Sequence, residues 1–241
     1  MKIIQSTLLN KFTNLTAGFT TKIMGNMAFH VNDSITNVKN NHKALAKELS
    51  YNNAALIHMQ QIHSSDVHIV QDSDNFTNPH TCDALVTNKR SIPLMVMVAD
   101  CSPTLFYEQV NHVIAVAHAG RQGAFKNIMY NTIDTMRKEF HSLVENIYIS
   151  IGPSIGVCCY EVGQEIYEEA KQLNLQDSLQ IRDGRYYLNI REILKKQLLD
   201  AGIQEENIEI STQCTCCLKE KYYSYRAKAN TGRFAGVIML K

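Results

Sequence analysis

The chain has 241 residues, of which 45% are hydrophobic and 20% charged, so it is an ordinary globular chain rather than a disordered, collagen-like or coiled-coil one. Its 24 lysines and arginines balance 23 aspartates and glutamates, and the net charge of +1 excludes the strong positive field that binds nucleic acid or an anionic membrane. We expect small-molecule partners, with the chain itself a monomer or a homodimer.

The N-terminus lacks the apolar segment and the small-residue cleavage site of a secretory signal. No uninterrupted apolar run reaches the roughly 18 residues that a membrane-spanning helix needs. The seven cysteines are an odd number in a chain large enough to fold without disulfides, which indicates reduced thiols. These features predict a cytoplasmic protein.

Hydrophobic periodicity predicts four helices. The first has Asp33 or Ser34 as its N-cap and ends near Ser50, and the others cover 125–140, about 161–173 and about 190–201, the last closed by Gly202. Short apolar or β-branched runs predict eight strands, at 54–59, 66–71, 92–99, 103–107, 112–117, 146–151, 207–211 and 234–240. Helices and strands interleave without strict alternation and no linker divides the chain, so residues 1–241 are predicted to form one α+β (mixed α/β) domain with mixed sheets.

Three side chains that bind metals stand where predicted strands run out into loops: His63, Cys101 and His118. Two imidazoles and a thiolate are a good zinc set, and three protein ligands leave the open position that a catalytic zinc requires. Cys101 and His118 would equally form a nucleophile and base pair, oriented by Asp100 or Asp66. The residues alone do not separate these two interpretations, nor exclude a buried thiol with two hydrogen-bonded histidines.

The other histidines and cysteines carry weaker signals. His58 or His68 could approach the same site, whereas the remaining histidines are read as surface or helix-face residues: His30, His42, His80, His112 and His141. A four-thiolate cluster could be drawn from the five cysteines of two segments, Cys158, Cys159, Cys214, Cys216 and Cys217. Only Cys214 and Cys217 have the C-x-x-C spacing of a zinc site, so these five cysteines are read as small buried apolar residues instead.

Seven short motifs, taken together and in this order, match a known family: Gln61-Ile62-His63, Cys82–Asn88, Ala99-Asp100-Cys101-Ser102-Pro103, His118-Ala119-Gly120, Ile151–Gly156, Tyr160–Gly163 and Ser224-Tyr225-Arg226 with Thr231-Gly232-Arg233. From about residue 55 to the C-terminus, the chain resembles the YfiH/YlmD family, also called laccase-domain proteins. The resemblance implies a four-layer α/β/β/α sandwich with mixed sheets and a zinc site, copper being the less favoured ion. Carried over position by position, the zinc ligands are His63, Cys101 and His118.

The resemblance also implies a purine nucleoside phosphorylase, which converts adenosine, inosine, guanosine or methylthioadenosine and phosphate to the free base and ribose 1-phosphate. It further implies adenosine deaminase activity in the same site. Arg226 and Arg233 are the candidates for binding phosphate. Deamination needs a water activated by the metal and an acidic proton carrier, for which Asp100, beside Cys101, is the nearest candidate, with Asp83 and Glu161 behind it. Asp100 would equally serve by fixing the tautomer of a histidine.

The chain departs from the family in the residues that follow two of these motifs. Arg121-Gln122 stands where the family usually has Trp-Arg, with Arg121 as a possible substitute charge, and Ala227 stands where a second arginine is usual. If the missing arginines bind phosphate, phosphorolysis is weakened here while zinc binding survives.

Three alternative functions stay open. A metal-free cysteine hydrolase would use Cys101 and His118 directly, and a non-catalytic zinc-binding protein would have all four coordination positions filled. A copper-dependent polyphenol oxidoreductase is disfavoured, because such enzymes hold their coppers with His-x-His pairs and this sequence has none.

Overall fold

The computed structural model describes residues 1–241. It contains the strands β1 Ile3–Ile4, β2 Leu15–Thr20, β3 Met59–Gln60, β4 Val67–Ile69, β5 His80–Thr81, β6 Ala84–Thr87, β7 Leu94–Val98, β8 Ser102–Glu108, β9 Val113–Ala119, β10 Ile147–Ile151, β11 Glu161–Val162, β12 Leu179–Arg182, β13 Arg185–Leu188, β14 Ile208–Ile210 and β15 Phe234–Leu240. The α-helices are α1 Ile35–Leu49, α2 Arg121–Phe125, α3 Ile128–Phe140, α4 Gln164–Gln172 and α5 Ile190–Asp200. Short 3₁₀ helices cover Leu9–Lys11, Lys22–Met24, Asn53–Ala55, Val144–Asn146, Gln176–Ser178 and Glu205–Asn207. None of the helices has the length and apolar character needed to cross a bilayer.

Two large sheets form the centre of the molecule. One has four strands in the order β1-β2-β15-β7, and the other has six in the order β14-β10-β8-β9-β6-β4. The six-stranded sheet is mixed, because β10 pairs with β14 and β4 with β6 in parallel while its other pairs are antiparallel. Two small sheets, β11-β13-β12 and β3-β5, lie outside this pair.

The side chains of the central strands divide the interior into three apolar cores, because successive side chains of a strand point to opposite faces. On β7, Leu94, Val96 and Val98 pack between the two sheets, whereas Met95 and Met97 pack on the other side with Leu45 and Leu49 of α1. The outer face of the six-stranded sheet packs against α2, α3 and α5. The layers therefore run helix, sheet, sheet, helix, which confirms the predicted mixed sandwich.

Six of the eight predicted strands match the structure closely, and the apolar runs at 92–99, 103–107, 112–117, 146–151, 207–211 and 234–240 correspond to β7, β8, β9, β10, β14 and β15. The strand predicted at 66–71 is shorter in the structure, where β4 covers Val67–Ile69. Most of the strand predicted at 54–59 is absent, because the chain makes a 3₁₀ turn there before the two-residue β3. The sequence pattern also missed β2, β6 and the hairpin of β12 and β13, together with the two-residue strands β1, β5 and β11.

The predicted helix over 125–140 corresponds to α3, which begins three residues later at Ile128, and the short helix α2 before it was not predicted. Asn127 lies between α2 and α3 with φ 60°, in the left-handed region that asparagine tolerates better than most residues. The third predicted helix begins three residues later than expected, since Glu161 and Val162 form β11 instead. The first helix has the predicted bounds and ends at Leu49, with Ser50 in a left-handed C-cap.

Replacing Ser34 with alanine is expected to lower the free energy of unfolding by about 1 kcal/mol. The Ser34 hydroxyl accepts the backbone N–H of Asn37 at 3.1 Å and so caps the first turn of α1. Urea unfolding of Ser34→Ala and of Ser34→Asn measures the effect, since asparagine keeps an accepting oxygen and should retain most of the stability. Equal loss in both variants would contradict the capping role.

Candidate functional site

The main cavity opens at the ends of strands from both central sheets and has a volume of about 810 Å³. All six residues predicted for the site line it: His63, Asp100, Cys101, His118, Arg226 and Arg233. These residues are spread over most of the chain, and the two-sheet fold brings them to one opening.

The three predicted metal-binding side chains converge on one point in this cavity. Ligand atoms of His63, Cys101 and His118 all lie within 4.8 Å of one another, with 3.9 Å between the Cys101 sulfur and Nε2 of His63. Cys101 lies in the turn between β7 and β8, and His118 lies on β9 opposite Pro103 of β8. His63 lies in the loop after β3, with φ 60°. The group has the donors and the proximity to hold a metal ion.

Asp83 holds two of these three residues, the backbone of His63 and the side chain of His118, from a fully buried position. Its carboxylate accepts the backbone N–H groups of Ile62, His63 and Ser64 at 3.2, 3.0 and 2.7 Å, together with the Ser64 hydroxyl. It also contacts Nδ1 of His118 at 2.7 Å. This contact leaves Nε2 of His118 free to face the cavity, as in the carboxylate and histidine pairs of metal sites.

Asp83, and not Asp100, is the carboxylate that orients a histidine of the group. Asp100 is buried, and its carboxylate accepts the Thr215 hydroxyl at 2.6 Å and the backbone N–H of Arg226 at 2.7 Å. Its φ of 90° is unusual for a residue with a side chain, and these two bonds hold the turn before Cys101 in place. Asp100 therefore joins the Cys101 turn to the C-terminal loop and fixes no histidine.

Gly120 leaves room beside the Cys101 sulfur. A Cβ at this position would lie 2.9 Å from that sulfur, closer than real Cβ contacts come, and 3.1 Å from Cδ2 of His63, which is a tight contact. The glycine of the His118-Ala119-Gly120 motif is therefore required by the packing of the donor group. Gly120 and Asp83 both belong to the sequence motifs, but the motifs did not reveal what either residue does in the site.

The charges of the group favour a thiolate. Burial by itself would raise the pKa of Cys101, but the His118 and His63 imidazoles beside it lower that pKa to about 6. Burial would likewise lower the pKa of His118, but the Cys101 thiolate and the Asp83 carboxylate raise it to about 9. Both shifts favour an ionic pair of thiolate and imidazolium when no metal is bound.

In protein stripped of metal by a chelator, Cys101 is expected to react with iodoacetamide with a midpoint near pH 6. The thiolate is the reactive form, so reactivity is full above that pH and is lost as the pH falls through it. Cys82 is the internal control, because burial and the Asp83 charge raise its pKa to about 12. Peptide mass spectrometry measures both sites, and a Cys101 midpoint near the ordinary value of about 8.5 would contradict the assignment.

The two predicted phosphate-binding arginines line the cavity but are partly engaged with the backbone. Arg226 donates to the carbonyls of Cys159 and Glu161 at 3.2 and 2.9 Å, and Arg233 donates to those of Thr231 and Gly232 at 2.9 and 3.1 Å. A guanidinium has five N–H donors, so each keeps some for a ligand. Arg121 also lines the cavity, but its ion pair with Glu169 at 2.7 Å offsets the charge that it was expected to restore.

Several cavity residues were not assigned to the site from the sequence. His30 was predicted as a surface residue, yet it lines the cavity with Phe29, Tyr160 and Tyr225. His58, one of the two histidines that the sequence left able to approach the site, lines the cavity as well. His68 instead stacks on His80 at 3.5 Å between ring centroids and contacts Asp74, away from the cavity. No spacing in the sequence marks these aromatic residues, because they come from separate loops.

Comparison with known proteins identifies the family of this chain. Residues 11–241 match the family model described as multi-copper polyphenol oxidoreductase laccase. The chain is 30% identical to the purine nucleoside phosphorylase YlmD of Geobacillus stearothermophilus, over 94% of this chain and 90% of that protein. It is 33% identical to a purine nucleoside phosphorylase of Clostridium acetobutylicum, over 87% of this chain and 84% of that protein.

The solved structures give the same result. The crystal structure of the hypothetical protein YfiH of Bacillus licheniformis has a TM-score of 0.89 and 32% identity, covering 94% of this chain and 93% of that one. The crystal structure of YlmD from Geobacillus stearothermophilus also has a TM-score of 0.89, at 28% identity, covering 95% of this chain and 93% of that one. The chain therefore belongs to the YfiH/YlmD family of laccase-domain proteins.

Proposed function

We propose that this chain is a zinc-dependent purine nucleoside phosphorylase. The observation that carries the proposal is a single cavity of about 810 Å³ that joins the donors His63, Cys101 and His118 to the arginines Arg226 and Arg233. Relatives named purine nucleoside phosphorylase, at 30% and 33% identity over most of the chain, support it.

Phosphorolysis of a nucleoside makes three demands on a site. A phosphate oxygen forms a bond to C1′ of the ribose while the bond from C1′ to the base nitrogen breaks. The electron pair of the broken bond stays with the purine, which takes up a proton. The site must therefore hold an anion, bind the sugar as it gains positive charge and stabilise the departing base.

The chain offers groups suited to the phosphate and to the base. Arg226 and Arg233 supply guanidinium groups, whose planar donors match phosphate oxygens. The aromatic side chains of Phe29, Tyr160 and Tyr225 give the cavity flat apolar surfaces against which a purine can stack. His30 and His58 add ring nitrogens that can bond to the edge of the base.

The donor set fits zinc, because one thiolate and two imidazoles are ligands that zinc accepts and three protein ligands leave a fourth position open. His63, Cys101 and His118 would hold the ion, with Asp83 orienting His118. A bound zinc ion would supply a positive charge that polarises a substrate atom. Copper accepts the same donors, so elemental analysis of the purified protein decides which ion it carries.

The decisive experiment incubates the purified, zinc-loaded protein with adenosine, with and without phosphate, and separates the products by chromatography. Adenine and ribose 1-phosphate that appear only with phosphate are the expected result. Inosine or hypoxanthine would add the proposed adenosine deaminase activity. The same assay is run with inosine, guanosine and methylthioadenosine. Absence of any product from all four nucleosides would overturn the phosphorylase assignment.

A second candidate function follows from the ionic pair of Cys101 and His118. A thiolate beside an imidazolium is the arrangement of a cysteine hydrolase, which needs no metal. Chelation separates the two functions, since a zinc-dependent phosphorylase loses its turnover when stripped and recovers it with zinc. Turnover that survives complete removal of metal would favour the hydrolase.

Replacing Arg233 with glutamine is expected to raise the KM for phosphate by about 10-fold or more, because a charge-assisted hydrogen bond contributes roughly 1.5–3 kcal/mol. The KM for the nucleoside should change much less. Arg137→Gln, an exposed arginine on α3 outside the cavity, is the matched control. An unchanged KM for phosphate in both Arg233→Gln and Arg226→Gln would exclude these residues as the anion site.

A further inference from the structure

Four cysteines outside the cavity form a second cluster of metal-binding side chains. The sulfurs of Cys158, Cys159, Cys214 and Cys217 all lie within 4.8 Å of one another. The distances from Cys217 to Cys158 and Cys159 are 3.5 and 3.4 Å, so the thiols are in contact without a disulfide. The sequence-based interpretation of all of these residues as buried apolar groups is wrong for Cys158 and Cys217, which are exposed.

Two segments of the chain build this cluster. Cys158 and Cys159 lie in the turn between β10 and β11, and Cys214 and Cys217 lie in the turn after β14. An isolated parallel bridge pairs Ser154 with Cys214 and holds the two turns side by side. Adjacent cysteines seldom share one ion, but the first turn directs both sulfurs to the same point.

We propose that these four cysteines bind one thiophilic divalent cation, represented by zinc, in a structural site distinct from the His63, Cys101 and His118 group. Four sulfurs at the Zn–S distance of about 2.3 Å stand about 3.8 Å apart in a tetrahedron. The sulfur separations in the cluster, from 3.4 Å to no more than 4.8 Å, bracket that value. Small rotations of the side chains therefore suffice to close the site around an ion.

The backbone around Cys214 is arranged as it is around a metal-bound thiolate. The backbone N–H of Gly156 donates to the Cys214 sulfur at 3.2 Å, which stabilises negative charge on it. A Cβ at Gly156 would lie 3.1 Å from the Cys158 sulfur and 3.3 Å from Cβ of Cys214. Gly156 therefore lets the backbone approach two of the four ligands. Cys214 and Cys217 supply the C-x-x-C spacing of structural zinc sites.

A partly buried arginine offsets the charge of the cluster. Four thiolates around a divalent ion carry two net negative charges, which need a nearby cation. Arg191 of α5 donates to the Ser154 hydroxyl at 2.9 Å and to the carbonyls of Ser154 and Gln213 at 2.5 and 2.6 Å. Its guanidinium is thereby held against both turns and interacts electrostatically with Cys214 and Cys158.

The cluster also adjoins the cavity. The hydroxyl of Thr215, between two of the cysteines, donates to Asp100, and Arg226 donates to the carbonyl of Cys159. An ion that fixes the two turns would therefore fix the Thr215 hydroxyl that bonds to Asp100 and the Cys159 carbonyl that bonds to Arg226. This makes the site a positioning element for the loop that carries Arg226.

Metal content tests the proposal independently of any enzymatic activity. Wild-type protein purified under reducing conditions and dialysed against zinc is expected to bind two ions per chain, and His63→Ala/Cys101→Ala is expected to keep one. Cys217→Ser should lose the cluster ion and keep the cavity ion, whereas Cys216→Ser should keep both, because Cys216 lies outside the group of four. No ion in His63→Ala/Cys101→Ala, or two ions in Cys217→Ser, would overturn the proposal.

A cobalt-loaded His63→Ala/Cys101→Ala variant gives a reading that does not depend on how well Cys217→Ser folds. With Cys101 absent, intense sulfur-to-cobalt charge-transfer absorption can arise only from thiolates outside the cavity. We expect this absorption at one cobalt per chain, with displacement by zinc. A disulfide among the four cysteines in the reduced, purified protein, or no charge-transfer band, would show that the cluster is not a metal site.

Discussion

Replacing Asp83 with asparagine should destabilise the protein by about 3–5 kcal/mol and weaken metal binding in the cavity by roughly 10–100-fold. Asp83 is fully buried and accepts N–H groups from Ile62, His63 and Ser64 as well as contacting His118. An asparagine has one accepting oxygen and would turn an NH₂ group toward donors. Several of these partners would then be buried without an acceptor.

Two measurements separate the parts of this effect. Urea unfolding of the metal-stripped protein gives the loss of stability alone, and a zinc titration against a competing chelator gives the affinity of the cavity site. Asp66→Asn is the matched control, because Asp66 lies nearby but its carboxylate makes none of these bonds. Wild-type stability and wild-type zinc affinity in Asp83→Asn would show that Asp83 does not organise the site.

Removing a ligand of the proposed cavity metal is expected to remove most of the nucleoside turnover. His63→Ala and Cys101→Ser should each lose the cavity ion, and turnover should fall by on the order of 10³-fold, the scale seen when a charge-stabilising group is lost. His63 is exposed and Cys101 partly exposed, so neither change should cost much stability. Metal analysis, circular dichroism and the adenosine assay on the same preparations measure all three properties.

Matched controls separate this result from general effects of the substitutions. His80→Ala removes an exposed histidine, and Cys216→Ser removes a cysteine outside both thiol groups. Both controls should keep the cavity ion and wild-type turnover. Full phosphorolysis in a folded His63→Ala or Cys101→Ser variant would exclude the proposed metal-dependent enzyme. If that variant has also lost its ion, the metal of the wild-type protein is not catalytic.

The helices and the long central strands were predictable because their signals are local. The Ser34 cap and the apolar stripe of α1 set its bounds, and the continuous apolar runs of β7 and β15 indicated strands covered on both faces. The break at Asn127 was not predictable, since the apolar periodicity continues across it. Strands as short as β3 and β5 carry too few residues for any periodicity.

The cavity residues were partly predictable for a different reason. His63, Cys101 and His118 are chemically distinctive and end apolar segments, and the motifs around them are those of the family. Asp83 was ranked behind Asp100 because Asp100 is adjacent to Cys101 in sequence. Adjacency proved a poor guide, since neighbouring side chains point in different directions and the Asp100 carboxylate turns to Thr215 instead.

By itself, the sequence determined the ordinary globular composition, the principal helices and strands, the layered α+β class and the three distinctive side chains His63, Cys101 and His118 as candidates. Only the tertiary structure decided which groups meet: Asp83 with His118, His30 with the cavity, and Cys158 and Cys159 with Cys214 and Cys217. The physical reason is that periodicity and capping act over a few residues. Hydrogen bonds and metal sites instead join atoms whose distance is set by how two sheets pack and where their loops close.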